Sequence, residues 1–381
     1  MNRLIGVDVA RCLALLGMIA THVLVARTPD GDLALWQSIA GGRASALFAV
    51  LAGVSLTLGS GWARRDRRPT RAERVVQLLV RALLIGALGL VLGGLDSGLA
   101  VILSYYAMLF VLAVPFLEWS ARRLAVAAAV WVVLAPVLSH LVRPFLPDRG
   151  VDSPNLDQLS SPGELLAELF LTGYYPAFVW MAYLLAGMAL GRLDLRRWQV
   201  AGAVAAGGAV LASAAKLISD EATRQADTLR ALTGSASGEQ REQFLDGIAG
   251  GMFGTTPAGE TWHWLWVSAP HSGTPFDLAH TIGTSLLVLG VSLLVVAMLP
   301  AGLGRVLQVL TGAGAMTLSL YTLHVVMRTP QVWPAEEPDA IAWHLLVVLG
   351  IGAGFAVAGR RGPAEAVVRW VSRAAGGLAS R

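Results

Sequence analysis

Asp8, Arg11 and His22 interrupt an apolar stretch, IGVDVARCLALLGMIATHVLV, that is long enough to cross a bilayer. On a helix turning about 100° per residue, Arg11 and His22 lie about 20° apart and Asp8 about 40° from His22, so all three share one stripe. Ionisable groups in a membrane helix are disfavoured by roughly 2.5 to 3.5 kcal/mol each on insertion scales, so they face protein or water and often mark a functional path. The residue types define the chemistry open to them. A neutral imidazole takes a proton from a hydroxyl or amine, or carries an acyl group as a nucleophile. A guanidinium grips an oxyanion in a bidentate fork. Asp8, one turn before Arg11, is placed to neutralise it and stands with His22 as a candidate catalytic pair. Along the helix axis about 16 Å separates Arg11 from His22, which puts an anion-binding level and a proton-transfer level on one element.

A second stripe runs through TLSLYTLHVVMR, where Thr317, Tyr321, His324 and Arg328 follow an i, i+4, i+7, i+11 pattern. It reads as a bundle-facing polar network or part of an acceptor site. LSYY carries Ser104, Tyr105 and Tyr106, and Tyr174, Tyr175 and Pro176 open another apolar run in which proline frees backbone carbonyls. Arg43 begins the second apolar segment, where an arginine either snorkels to the interface or binds a carboxylate. Trp262, Trp264 and Trp266 alternate with His263 and Leu265, which suits an interfacial anchor, a lid or a stacking surface. The segment PHSGTPFDLAH offers His271, Ser272, Asp277 and His280, but residue types alone do not make a Ser/His/Asp triad. Neither an HExxH run nor a Cys/His ligand spacing occurs, so no metal is expected.

These residues need a membrane scaffold. Hydrophobic residues make up 55% of the 381 and charged residues 14%, with a mean hydropathy of +0.62, whereas soluble domains carry about 25% charged residues. The net charge of +4 is no nucleic-acid signature, because the arginines cluster between apolar runs without interleaved aromatics. The apolar periodicity predicts an all-α polytopic protein of about ten spans, near 4–25, 42–61, 75–94, 99–117, 122–141, 170–191, 198–218, 278–299, 305–327 and 340–358. The first is expected to stay as a helix, since Asp8 and Arg11 break any signal-peptide core. Its single cysteine, Cys12, rules out an intrachain disulfide and reads as a small packing residue.

Basic loops remain cytoplasmic. Arg64, Arg65, Arg67, Arg68, Arg71 and Arg74 fix one side, and ten spans then place Arg3, Arg122, Arg123, Arg192, Arg196, Arg197, Arg305, Arg360, Arg361, Arg369 and Arg373 on it. Both termini are therefore expected inside. All seven histidines then fall on the outward half. The chain reads as one domain, 1–381, with outward connections at about 142–169 and 219–277. Oligomeric state has no signature here.

The opening RLIGVDVARCLALLGMIATH resembles the first helix of the transmembrane acyltransferases, a group that includes acyltransferase family 3, YeiB-type bacterial proteins and heparan-α-glucosaminide N-acetyltransferase. Asp8, Arg11 and His22 match the D-x-x-R and later histidine of acyltransferase family 3, whose histidine is regarded as catalytic. GGRASALFAVLAGVSLTL, LSYYAMLFVLAVP and GAGAMTLSLYTLHVV resemble segments of YeiB-type proteins. The resemblance implies catalysis at His22 and an acyl donor such as acetyl-coenzyme A. Beside His22, Asp8 is the second catalytic candidate, Arg11, Arg43, Tyr105 and Tyr106 are the candidates for holding the donor, and Tyr321, His324, Arg328, His271 and Trp264 are the candidates for an acceptor site or polar network. One departure bears on mechanism. The heparan enzyme's catalytic histidine lies in its first luminal loop, whereas VLVARTPDGDLALWQSIAGG has none, and His22 falls where that enzyme is expected to carry asparagine.

The expected function is transfer of an acyl group, acetyl first, from cytosolic acyl-coenzyme A to an extracytoplasmic glycan, lipid-linked sugar or related acceptor. The bilayer, the donor and that acceptor are the expected partners. A bacterial plasma membrane and a role in the cell envelope are the expected setting. The alternative is a transporter or flippase whose translocation path uses the same polar stripes.

Overall fold

The computed structural model describes residues 4–61, 70–150, 153–332 and 340–378, and they form an all-helical bundle. Among the described residues no strand forms; a single bridge joins Arg27 to Leu33. Arg3, Arg64, Arg65, Arg67 and Arg68 fall outside them. The helices α1 (Ile5–Val23), α2 (Leu35–Ala40), α3 (Arg43–Gly61) and α4 (Arg71–Gly93) open the chain, followed by α5 (Leu103–Leu112) and α6 (Ala121–Val142). Next come α7 (Pro162–Ala167), α8 (Ala177–Leu190), α9 (Trp198–Arg224), α10 (Ala226–Thr233) and α11 (Gly238–Ala249). Then α12 (Pro275–Met298), α13 (Ala301–Leu310), α14 (Thr317–Met327), α15 (Ile341–Val357) and α16 (Pro363–Leu378) complete the bundle.

Among the described residues six segments are long and apolar enough to cross a membrane: Ile5–Val23, Leu35–Leu58, Arg71–Gly93, Ala121–Phe145, Trp198–Arg224 and Pro275–Met298. This is an integral membrane protein. A seventh candidate is broken, because Pro162–Thr172 and Ala177–Leu190 meet at 50°. The stretches read as spans near 99–117, 305–327 and 340–358 are shorter or interrupted: α5, α14 and α15 are compact apolar helices, and a 3-10 turn at Gly312–Ala315 separates α13 from α14. Exposed apolar stripes suit a lipid-facing surface. On α6, Val126, Val130, Val133 and Leu134 are exposed at i, i+4, i+7, i+8.

Helix α1 sits inside the bundle, touching α2, α3, α12, α13, α14 and α15. Small residues let it. At Gly314 a Cβ would clash with the Asp8 carbonyl oxygen and approach the Cys12 amide nitrogen to 2.9 Å, so the 3-10 turn before α14 lies directly on the α1 backbone. Cys12 is buried at that contact. On the glycine-rich α9, the buried Ala201, Ala205, Gly208 and Ala212 form the face that meets α12, where Gly208 lies against Gly283. This is the close small-residue packing that lipid-embedded helices use.

Candidate active site

His22 lies in the last turn of α1. Its Nδ1 is 3.1 Å from Nε2 of His324 on α14. The ring centroids are 5.3 Å apart and the planes differ by 8°. That separation exceeds the nitrogen–nitrogen distance by about one ring width, so the imidazoles meet edge to edge in one plane, the alignment a hydrogen bond needs. His324 continues the contact: its Nδ1 is 3.2 Å from Nδ1 of His344 on α15, with the planes at 74°. Three helices thus deliver one row of imidazoles, His22–His324–His344. His324 and His344 are buried. The guanidinium of Arg328, at the C-cap of α14, acts electrostatically on all three rings, and His271 acts on His22.

His271 brings an aromatic wall. Its ring lies parallel to Trp180 at 6.4 Å and contacts Tyr174 at 4.9 Å and Tyr175 at 5.6 Å. Its φ of 58° is left-handed, a conformation worth about 1 kcal/mol of strain in a non-glycine residue. The loop around it enforces this conformation. The Met252 N–H donates to the Pro270 carbonyl at 2.7 Å and the Gly254 N–H to the His271 carbonyl at 2.9 Å. Gly254 has φ 95°, and a Cβ there would clash with the carbonyl oxygens of Gly173 and Tyr174. Burial drives the His271 imidazole down from 6.5 to about 4.

Tyr105 and Tyr106 stand beside this wall on α5. The buried Tyr105 hydroxyl accepts from the Tyr174 N–H at 3.2 Å and donates to Glu168 at 3.4 Å. Glu168 begins the π-helical turn Glu168–Thr172 and also accepts from Gln158 Nε2 at 2.7 Å. Single π turns of this kind recur at functional sites. Tyr321, one turn before His324, accepts from the Ile102 N–H at 3.3 Å. Tyr106 lies within electrostatic reach of Tyr321, and its buried hydroxyl has no hydrogen-bond partner among the described residues.

Deeper along α1, the Nη1 of Arg11 donates to Asp8 Oδ1 at 3.2 Å and its Nη2 to Ser55 Oγ at 2.5 Å. Asp8 is buried. Arg81 of α4 lies close enough to act electrostatically on Arg11, with its guanidinium 5.1 Å from the Phe110 ring centroid. Two arginines therefore share this level.

The remaining candidates lie elsewhere. Arg43 Nε donates to His280 Nε2 at 3.2 Å and its Nη1 to the Ser38 carbonyl at 2.6 Å. Ser55, beside Arg11, is twelve residues further along the same helix, about 18 Å away, so Arg43 belongs to a different level. Trp264 donates to Glu260 at 2.8 Å and packs on Phe244, Val267 and Ala269 in a small cluster of its own, while Trp262 and Trp266 are exposed. His280 Nδ1 faces the Ala212 carbonyl at 3.0 Å and Ser272 Oγ faces Thr274 at 3.3 Å, so the residues of the PHSGTPFDLAH segment do not form a triad. Among the described residues no group of three or more His, Cys, Asp or Glu side chains is arranged to hold a metal ion.

His344, Arg81 and Glu168 were not singled out from sequence. His344 carried a signal, its place among the histidines that the ten-span reading gathers on one half. Arg81 carried one too: it follows Arg74 and Gln77 by seven and four residues on α4, which puts the three on one polar stripe.

Residues 3–221 match the family model described as heparan-alpha-glucosaminide N-acetyltransferase, catalytic. Among curated proteins none matches the chain. The matched stretch holds Asp8, Arg11, His22, Tyr105 and Tyr106, while His271, His324, Arg328 and His344 lie beyond it. It covers more than half of the 381 residues, and the protein belongs to this family of acetyltransferases.

Proposed function

We propose that this acyltransferase moves an acetyl group from cytosolic acetyl-coenzyme A to an amine or hydroxyl of an extracytoplasmic glycan or lipid-linked sugar, with His22 as the catalytic residue. Ten spans and two cytoplasmic termini belong to this reading, with α5, the broken α7–α8 pair, α13–α14 and α15 completing the crossing. Arg11 and Arg81 then take the phosphates of the donor from the inner side, and Asp8 holds Arg11 in place. Tyr105, Tyr106 and Tyr321 line the path between the two levels. His271, Tyr174, Tyr175 and Trp180 offer an aromatic wall against which a sugar ring stacks.

The observation that carries this reading is the course of α1: one unbroken helix bears the Arg11 level at one end and the histidine row at the other. His22 Nδ1 is engaged by His324, so Nε2 is the nitrogen left to meet the thioester or the acceptor. A positioned base of this kind contributes about 100- to 10,000-fold to rate. The test is acetyl transfer from acetyl-coenzyme A to glucosamine by the full chain in lipid nanodiscs. Transfer that His22→Ala lowers at least 100-fold, with the thermal midpoint retained, is expected. Equal turnover in both proteins would remove His22 from the chemistry.

A further inference from the structure

His324 engages a neighbour through each ring nitrogen. A neutral imidazole has one N–H and one lone pair, which couples the three rings. If His22 Nδ1–H donates to His324 Nε2, then His324 must carry its proton on Nδ1 and donate to His344 Nδ1. Reversing one bond reverses the other. An uncharged row therefore has two polarities: in one His22 Nε2 is a lone pair, in the other it is an N–H.

The geometry points to a reversible proton store in which His324 and His344 are positioning residues for His22. This inference rests on the acyl-transfer reading above. The neutral acceptor hydroxyl or amine gives its proton to the lone pair of His22 Nε2. His22 passes its Nδ1 proton to His324 Nε2, and His324 passes its Nδ1 proton to His344 Nδ1. The positive charge then resides on His344, two rings from the reacting carbonyl. The acceptor oxygen or nitrogen forms its bond to the acyl carbon, the carbon–sulfur bond breaks, and the electron pair leaves on sulfur. The same hops in reverse return the proton from His22 Nε2 to the thiolate. Atoms and charge balance without another reagent. Arg328 acts electrostatically on all three rings and His271 on His22; repulsion from the Arg328 guanidinium makes the stored proton short-lived and favours its return.

The experiment uses the full chain in lipid nanodiscs with ¹⁵N-labelled histidine, comparing wild type, His324→Gln and His344→Gln. Solid-state NMR of the ring nitrogens reads the polarity of each imidazole without turnover. If the row is coupled, His344→Gln changes the protonated fraction at His22 Nδ1, two rings away; an unchanged His22 spectrum overturns the store. In the kinetic arm, with acetyl-coenzyme A and glucosamine, each substitution is expected to lower kcat roughly 100-fold while KM for acetyl-coenzyme A moves less than about twofold. The solvent-isotope proton inventory should pass from curved to linear. A parallel rise in KM with an unchanged inventory would reduce His324 and His344 to packing and overturn the proposal. A wild type that transfers nothing would sink the acyl-transfer reading, while the NMR arm still decides the row. If His324→Gln does not fold, His344→Gln decides alone.

Discussion

Arg11 and Ser55 are joined across 44 residues by an Nη2 to Oγ hydrogen bond of 2.5 Å, and the same guanidinium holds Asp8 at 3.2 Å. One side chain thus ties α1 to α3 and keeps a buried carboxylate compensated. Arg11→Met should lower the thermal midpoint and raise KM for acetyl-coenzyme A more than it lowers kcat, because it removes ground-state binding. Ser55→Ala should cost about 1 kcal/mol, in line with hydrogen bonds between membrane helices. The double variant should cost less than the two singles together, since both remove one interaction. Thermal unfolding of the four proteins in detergent measures the coupling, and strict additivity would deny it.

Tyr106 buries a hydroxyl without a hydrogen-bond partner among the described residues. A buried polar group left unsatisfied costs about 1 to 3 kcal/mol. Tyr106→Phe should therefore raise the thermal midpoint. If the hydroxyl serves the bound donor, acetyl transfer falls in the same variant, the usual exchange of stability against function at a site. A variant both less stable and fully active would contradict this assignment.

His271 links stability to pH. Burial lowers its folded-state pKa from 6.5 to about 4, so the unfolded chain binds the proton first as pH falls. Its contribution is complete above about pH 6.5 and is lost progressively as pH drops towards 4. His271→Phe keeps a ring against Trp180 and removes the titration. The thermal midpoint of wild type should therefore fall more steeply than that of the variant across this window, and identical slopes would exclude the link.

Helix α14 lacks a side-chain cap of its own, since its N-cap residue is Met316. Glu365 of α16 supplies one: its Oε1 accepts from the N–H groups of Leu318 at 2.7 Å and Ser319 at 3.2 Å, and its Oε2 accepts from Ser319 Oγ at 2.5 Å. Loss of a helix cap costs about 1 to 2 kcal/mol. Glu365→Ala should destabilise by that amount and disturb acetyl transfer through the displacement of His324, while Glu365→Gln keeps part of both. Thermal unfolding and transfer assays together check this.

What a single helix carries was legible from the sequence. The period of 3.6 placed Asp8, Arg11 and His22 on one stripe and Tyr321, His324 and Arg328 on another, and Pro176 marked the break before α8. Contacts between helices were not legible. His22 and His324 stand 302 residues apart, and their meeting depends on backbone approaches such as Gly314 on α1, which periodicity does not encode. The small residues Gly312–Ala315 read as part of one long span, yet they let the chain tighten into a 3-10 turn and pack on α1 and α15. Trp264 shows the same limit. Alternation marked the tryptophans as a surface, but a 3-10 turn over Trp262–Trp266 turns the middle one inward.

The carboxylate that caps α14 comes 46 residues after Ser319, on the last helix described. During translation α1 and α14 leave the ribosome first, and the start of α14 waits for α16 to dock. A nascent or prematurely terminated chain thus lacks a finished seat for His324.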